Sequence, residues 1–151
     1  MDPRSDLLFT AFDINGSNPV KYKQRYRTKE YSAQKYCVTA HGKRTIFSTL
    51  SLDFTAIPWP AEDDYELIIC GLDDDNPAPC PIRICVNGKE IYNGPSPFSP
   101  DAWSVKKFRI PSPMIYRGNK VTIENPADSD VLTGPPFVCV SYVILRKLDP
   151  Q

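Results

Sequence analysis

The chain has 151 residues, and its 18 basic and 18 acidic side chains leave a formal charge of zero, so no whole-molecule field draws it to nucleic acid or to an anionic membrane. Its length suits a single domain over residues 1–151 with a real core, and no apolar stretch is long enough to span a bilayer. Sixteen prolines and seven glycines, with no uninterrupted amphipathic run of helical length, argue for an all-β chain with many turns. Residues 1–20 lack the continuous apolar core of a signal peptide. The five cysteines include no pair of CxxC or Cys/His knuckles, which disfavours structural zinc. Cys70 and Cys139 fall inside apolar runs and read as small core residues; Cys80 with Cys70 or with Cys85 could staple a loop, and spacing leaves that open.

LLFTAFDI (7–14) reads as a first strand. The following DINGSN offers oxygen ligands at Asp13, Asn15 and Ser17, but Gln24 stands where a calcium loop needs its bidentate acid, and an Asx-type turn is the alternative. In KYKQRYRTK, Lys21, Lys23, Arg25, Arg27 and Lys29 occupy alternate positions. A period of two puts all five cations on one face of a single strand, where they would meet an anionic glycan or simply blunt an edge. This stretch carries much of a local excess: residues 1–50 hold nine Lys and Arg against four Asp and Glu. Two strands follow within 30–56, joined at the tip His41-Gly42-Lys43. A lone histidine leaves little material for histidine-dependent catalysis. Trp59, between two prolines, is expected to plug one end of a sandwich.

From Tyr65 onward strand runs alternate with turn-rich connections: 65–72, 81–87, 89–92, 103–110, 120–124 and 137–147. Asn87-Gly88 suits a two-residue hairpin, because both positions tolerate positive φ. Counting strand directions puts the hairpin, Trp59 and PSPMIYRG at one end, and 73–80, 94–102 and 125–136 together at the other. The alternating apolar positions predict a core of Leu67, Ile69, Ile82, Ile84, Val86, Phe108, Ile110, Val121, Ile123, Val140, Tyr142 and Ile144. Three long loops at one end of a rigid sandwich are where binding is built. They bring Asp73, Asp74, Asp75 and Asn76, then Phe98, Asp101 and Trp103, then Asp128, Ser129, Asp130, Thr133 and Phe137. Carboxylates and amides beside a flat ring complement the hydroxyls and C–H faces of a sugar, and Trp103 is the first choice for the stacking ring, Phe137 the second. The same carboxylates repel one another unless calcium binds or they cap loop amides.

GLDDDNPAPCPIRICVNGKEIYNGPSPFSPDAW, IPSPMIYRGNKVTIENPADSD and GPPFVCVSYVILR, covering about the last 85 residues, resemble the galactose-binding-like β-sandwich modules attached to bacterial carbohydrate-active enzymes. The resemblance implies a jelly-roll of two antiparallel sheets, a structural calcium, an extracellular or periplasmic setting, and non-catalytic glycan binding beside the catalytic domain of a parent enzyme. One departure stands out: related modules carry a calcium-binding acid in the last strand, and Ser141 occupies the matching position before Tyr142. The fold also serves as an architectural or protein-interaction module, which is the alternative reading. An enzyme fits less well, since a hydrolase needs two carboxylates at a set separation, one in an enclosed site.

Overall fold

The computed structural model describes residues 6–17, 19–22, 25–26, 29–30, 35–55, 59–73, 79–99, 103–132 and 136–148. The strands in chain order are β1 (Leu7–Thr10), β2 (Val20–Tyr22), β3 (Arg25–Tyr26), β4 (Lys29–Glu30), β5 (Lys35–Ala40), β6 (Thr49–Thr55), β7 (Tyr65–Asp73), β8 (Pro81–Val86), β9 (Lys89–Pro95), β10 (Ser104–Ile110), β11 (Gly118–Glu124) and β12 (Val138–Lys147). The larger sheet runs β10-β7-β12-β5-β2, with β1 also on β12; the smaller runs β6-β11-β8-β9. Every pairing among the described residues is antiparallel. The expected all-β sandwich is the observed fold, and a 3-10 turn at Ser112–Met114 is the one helical feature among the described residues.

The two sheets meet over one core. Val38, Leu50, Leu52, Leu67, Ile69, Ile82, Ile84, Val86, Ile110, Val121, Ile123 and Leu145 are all buried there. β7 lies between β10 and β12, and its run YELIICGLD is buried on both faces apart from Glu66. At the hairpin between β8 and β9, Asn87 and Gly88 have φ of 53° and 80°. Two successive positive φ values give the turn whose twist matches its strands, as the dipeptide predicts.

The core expectation fails at Tyr142 and Ile144, which are half-buried, while Val143 and Leu145 are buried instead. The cause is a β-bulge: Val140 pairs with Gly71 but Tyr142 pairs with Cys70, so Ser141 is one residue too many for the ladder. An inserted residue reverses the in–out alternation of everything after it. Phe108 is also only half-buried, packing at the core margin edge-on to Tyr92 at 5.4 Å.

The N-terminal third departs further from expectation. β1 stops at Thr10, where Asp13 closes a turn: its amide donates to the Thr10 carbonyl at 2.9 Å, and its carboxylate accepts from the Thr10 amide and hydroxyl at 2.8 and 2.9 Å. The run KYKQRYRTK is not one strand. Lys21 belongs to β2, opposite Tyr36; Arg25 in β3 faces Glu30, and Lys29 in β4 faces Tyr26, so the chain reverses between them. Alternation makes a common face only along an unbroken strand, and the continuous cationic face is therefore not formed. Lys23 and Arg27 lie outside the described residues. Trp59 does sit at the hairpin end, but it is 43% exposed with the Arg117 guanidinium 5.1 Å over its ring. Phe54, Tyr65, Ile110 and Ile115 close that end instead.

Asp64 ties the same end together. Its carboxylate accepts from the Ser112 amide at 2.8 Å and from Arg109 Nε at 2.8 Å, and its carbonyl accepts from the Leu148 amide at 2.9 Å. The Ser112 amide first, and the Arg109 guanidinium after it, hold the Asp64 carboxyl below its ordinary range. A depressed carboxyl stabilises the fold above the unfolded aspartate value of about 3.9 and loses that contribution as pH falls through the lower folded value. Asp64→Asn should be less stable than wild type by about 1 kcal/mol at pH 7, with the gap closing below about pH 4 in urea titrations. A gap that persists at pH 3 would show that charge is not the source. In the same assay Leu145→Ala should cost about 2–5 kcal/mol and Ile144→Ala about 1 kcal/mol; equal losses would contradict the phase change at Ser141.

Candidate functional site

The strand pairings fix where the connections lie. β7, β9 and β11 run one way and β8, β10 and β12 the other, so 74–80, 96–103 and 125–137 share one end, as the strand count predicts. β5 runs against β12 and β6 against β11, which brings the connection 41–48 to the same end. This fourth loop is longer than the three-residue tip expected.

Backbone contacts join the fourth loop to the 125–132 segment. The Lys43 amide donates to the Ala127 carbonyl at 2.7 Å and the Arg44 amide to the Ser129 carbonyl at 3.1 Å. Gly42 permits this approach, since a Cβ there would stand 2.5 Å from the Ser129 carbonyl oxygen. Asn125, fully buried, holds the junction: Nδ2 donates to the Ala40 and Pro136 carbonyls at 3.0 and 3.2 Å, and Oδ1 accepts from the Ala127 amide at 3.0 Å. One side chain thus ties the end of β5 to both ends of the last long loop. Asn125 escaped the sequence reading, although Asn-Pro directly after an apolar strand is a turn signal that could have found it.

The expected site residues divide. Asp128 and Asp130 are exposed beside Arg44, whose Nε lies 2.8 Å from Asp128 Oδ1 and whose Nη1 lies 3.7 Å from Asp130 Oδ2. Asp73 is 1% exposed, and its Oδ2 accepts from the Cys80 amide at 3.1 Å. It closes its own loop and is no surface ligand for a sugar. Burial, with the Asp73 charge adding to it, pushes the Cys80 thiol up to about 12. All five cysteines are buried and none is in a disulfide, so no disulfide staples that loop. Phe98 is buried with its ring 2.8 Å from where a Gly71 Cβ would be, and Phe137 is 7% exposed. Rings so enclosed cannot stack on a pyranose, which removes Phe98 and Phe137 as stacking residues. Asp74, Asp75, Asn76, Asp101 and Thr133 lie outside the described residues.

Trp103 is half-buried and packs on a satellite cluster of Cys37, Leu72, Phe137 and Cys139. Its Nε1 is buried with no hydrogen-bond partner, so the indole can offer a ligand part of its ring but not its N–H. His41, at the start of the fourth loop, also has a buried, unpartnered Nδ1, and burial holds its pKa down. Each loop is linked to the next: the Asp73 amide donates to the Ser99 carbonyl at 3.3 Å, Trp103 packs on the cluster that holds Phe137, and Arg44 pairs with Asp128 and Asp130.

The calcium implied by the resemblance does not fit at Ser141. The bulged serine lies in a groove with Leu8, Thr10, Ala11, Phe12, Tyr36, Tyr142 and Ile144, a set without a carboxylate, whereas calcium takes six to eight oxygens including carboxylates. Two of the three DINGSN side-chain oxygens are engaged separately: the Asp13 carboxylate holds Thr10, and the Ser17 hydroxyl accepts from the Thr39 amide at 2.8 Å, while the Asn15 backbone pairs with Ser51. Among the described residues, no three His, Cys, Asp or Glu side chains cluster to hold a metal.

No family model matches the sequence, and no curated protein matches it. Solved structures do match by shape. A family 35 carbohydrate-binding module from Clostridium thermocellum superposes with a TM-score of 0.52 at 17% identity, over 93% of this chain and 97% of that one. The CBM36-1 domain of a multidomain xylanase, from the hindgut metagenome of Trinervitermes trinervoides, gives 0.53 at 10% identity, over 96% and 99%. The fold is that of these carbohydrate-binding β-sandwiches. A family GH115 4-O-methyl-α-glucuronidase with specificity for decorated arabinogalactans gives 0.61 at 10% identity over 99% of this chain, which spans 18% of that enzyme. The resemblance read from the sequence holds at the level of fold.

The energetics of the loop end should separate Asn125 from Arg44. Asn125→Ala strips partners from buried carbonyls and an amide and should cost roughly 2–3 kcal/mol in urea unfolding. Arg44→Ala, losing exposed ion pairs, should stay within about 1 kcal/mol of wild type. The reverse order would mean that charge pairing, not the buried amide, holds the loops.

Proposed function

We propose that this protein is a non-catalytic carbohydrate-binding module that holds a glycan at the loop end of its sandwich. The observation that carries the reading is the gathering of four linked connections at one end of a fold otherwise seen in carbohydrate-binding modules. The described part of that end offers a half-buried indole, exposed carboxylates at Asp128 and Asp130, and the Arg44 guanidinium. Exposed charged groups bond sugar hydroxyls, and a ring face takes the C–H surface of a pyranose.

Catalysis fits these groups poorly. Glycoside hydrolysis uses a carboxyl pair flanking the bond, one with a raised pKa. Asp73 is buried against a backbone amide, while Asp128 and Asp130 are open to water and paired with Arg44. The module's role is then to hold a polysaccharide for a catalytic domain of a parent enzyme, in an extracellular or periplasmic setting. Matching regions that form a minor part of larger enzymes support that arrangement.

An array of soluble glycans, probed with and without calcium, identifies the ligand. Trp103→Ala should then weaken binding by about 1–3 kcal/mol in a calorimetric titration, the scale of an aromatic contact with its buried area. Equal affinities in a variant whose thermal melt is intact would remove Trp103 from the site.

A further inference from the structure

β12 has two partners on one side. Its upper part, Val138–Val140, pairs with β5, and Tyr142–Leu145 pairs with β1. Between them is the bulged Ser141, and here the outer surface of the larger sheet opens into a groove of about 500 Å³. That volume lies within the range of small-molecule sites.

The lining has a definite chemistry. Ala11, 1% exposed, belongs to the floor, and Leu8 and Ile144 form one apolar wall as cross-strand neighbours. Phe12 is 66% exposed and Tyr36 48%, with ring centroids 5.1 Å apart and planes inclined at 55°. Two large rings held open to water lose the stabilisation that burial would bring, and their inclination makes a bent cradle. Ser141 and Tyr142 complete the lining, and among the described residues no Asp, Glu, Lys or Arg lines the groove. The described lining offers a charged ligand no counter-charge for the hydration it would lose. A neutral pyranose matches the described lining, with C–H faces for the two rings and hydroxyls for the bulged serine.

We propose that this groove is a second glycan subsite, separate from the loop end, that takes an uncharged sugar unit on Phe12 and Tyr36. The proposal rests on the carbohydrate-binding reading above. It differs from that reading in its residues, in its place on the sheet face rather than at the loops, and in its exclusion of uronates.

Affinity electrophoresis of the full chain through glucan, xylan, mannan and polygalacturonate tests it, with Phe12→Ala, Phe12→Trp and Trp103→Ala run beside wild type. Phe12 is mostly exposed, so its replacement should leave the thermal melt in place. The expected result is retention on at least one neutral polymer, weakened about tenfold by Phe12→Ala and kept by Phe12→Trp. Retention unchanged in Phe12→Ala but lost in Trp103→Ala would overturn the groove and uphold the loop end. Loss in Phe12→Ala with Trp103→Ala unchanged would do the opposite. Phe12-dependent retention on polygalacturonate would overturn the assignment of a neutral ligand, and no retention of wild type on any polymer would overturn both sites.

Discussion

The extra residue in β12 is the constraint on which most of this molecule depends. β12 pairs with β7 along nearly its whole length while serving β5 and then β1 on its other side. A strand with two partners in succession must cross the gap between them, and the bulge at Ser141 takes up that irregularity in a single residue. The phase of the strand then changes. Val138 and Val140 enter the core above the bulge, and Val143 and Leu145 enter it below. The displaced Tyr142 and Ile144 turn outward beside Thr10 and Leu8, their partners in β1. Core packing and the groove on the sheet face are consequences of the same insertion.

At the loop end the controlling terms are backbone hydrogen bonds. Irregular chain leaves amides and carbonyls without ladder partners, and each one buried unpaired is costly. Asn125 satisfies two carbonyls and an amide, Asp73 receives the Cys80 amide, and Gly42 lets two segments approach closely enough to bond directly. Polar residues that resemble ligands in the sequence are in several cases the fastenings of the loops. Among the described residues, what remains at the surface is a smaller set, Arg44, Asp128 and Asp130 with part of the Trp103 ring. In their described residues the two candidate surfaces therefore differ in character: the loop end is charged and polar, and the groove is aromatic and uncharged.

The sequence by itself determined the class of fold, the hairpin at Asn87-Gly88 and the end at which the long connections gather. These follow from local chemistry, namely the period of two in the apolar runs, the tolerance of Asn and Gly for positive φ, and the up-and-down geometry of antiparallel strands. It also marked Cys70 and Cys139 as core residues by their apolar surroundings. Tertiary structure decided the rest. Nothing in the residue itself distinguishes an aspartate that caps an amide, as Asp73 does, from one left at the surface, as Asp128 is; the difference lies in which backbone amide the fold brings within hydrogen-bond reach. Alternating cations in KYKQRYRTK look like one face until the pairing of Arg25 with Glu30 shows the chain turning back. Phe98 and Phe137 have the aromatic surface a sugar needs, but the folded chain uses it for packing, against Gly71 in one case and Leu72 and Cys139 in the other. A period-two reading also cannot register an inserted residue, because a bulge is set by the ladder's partners and not by the strand that carries it.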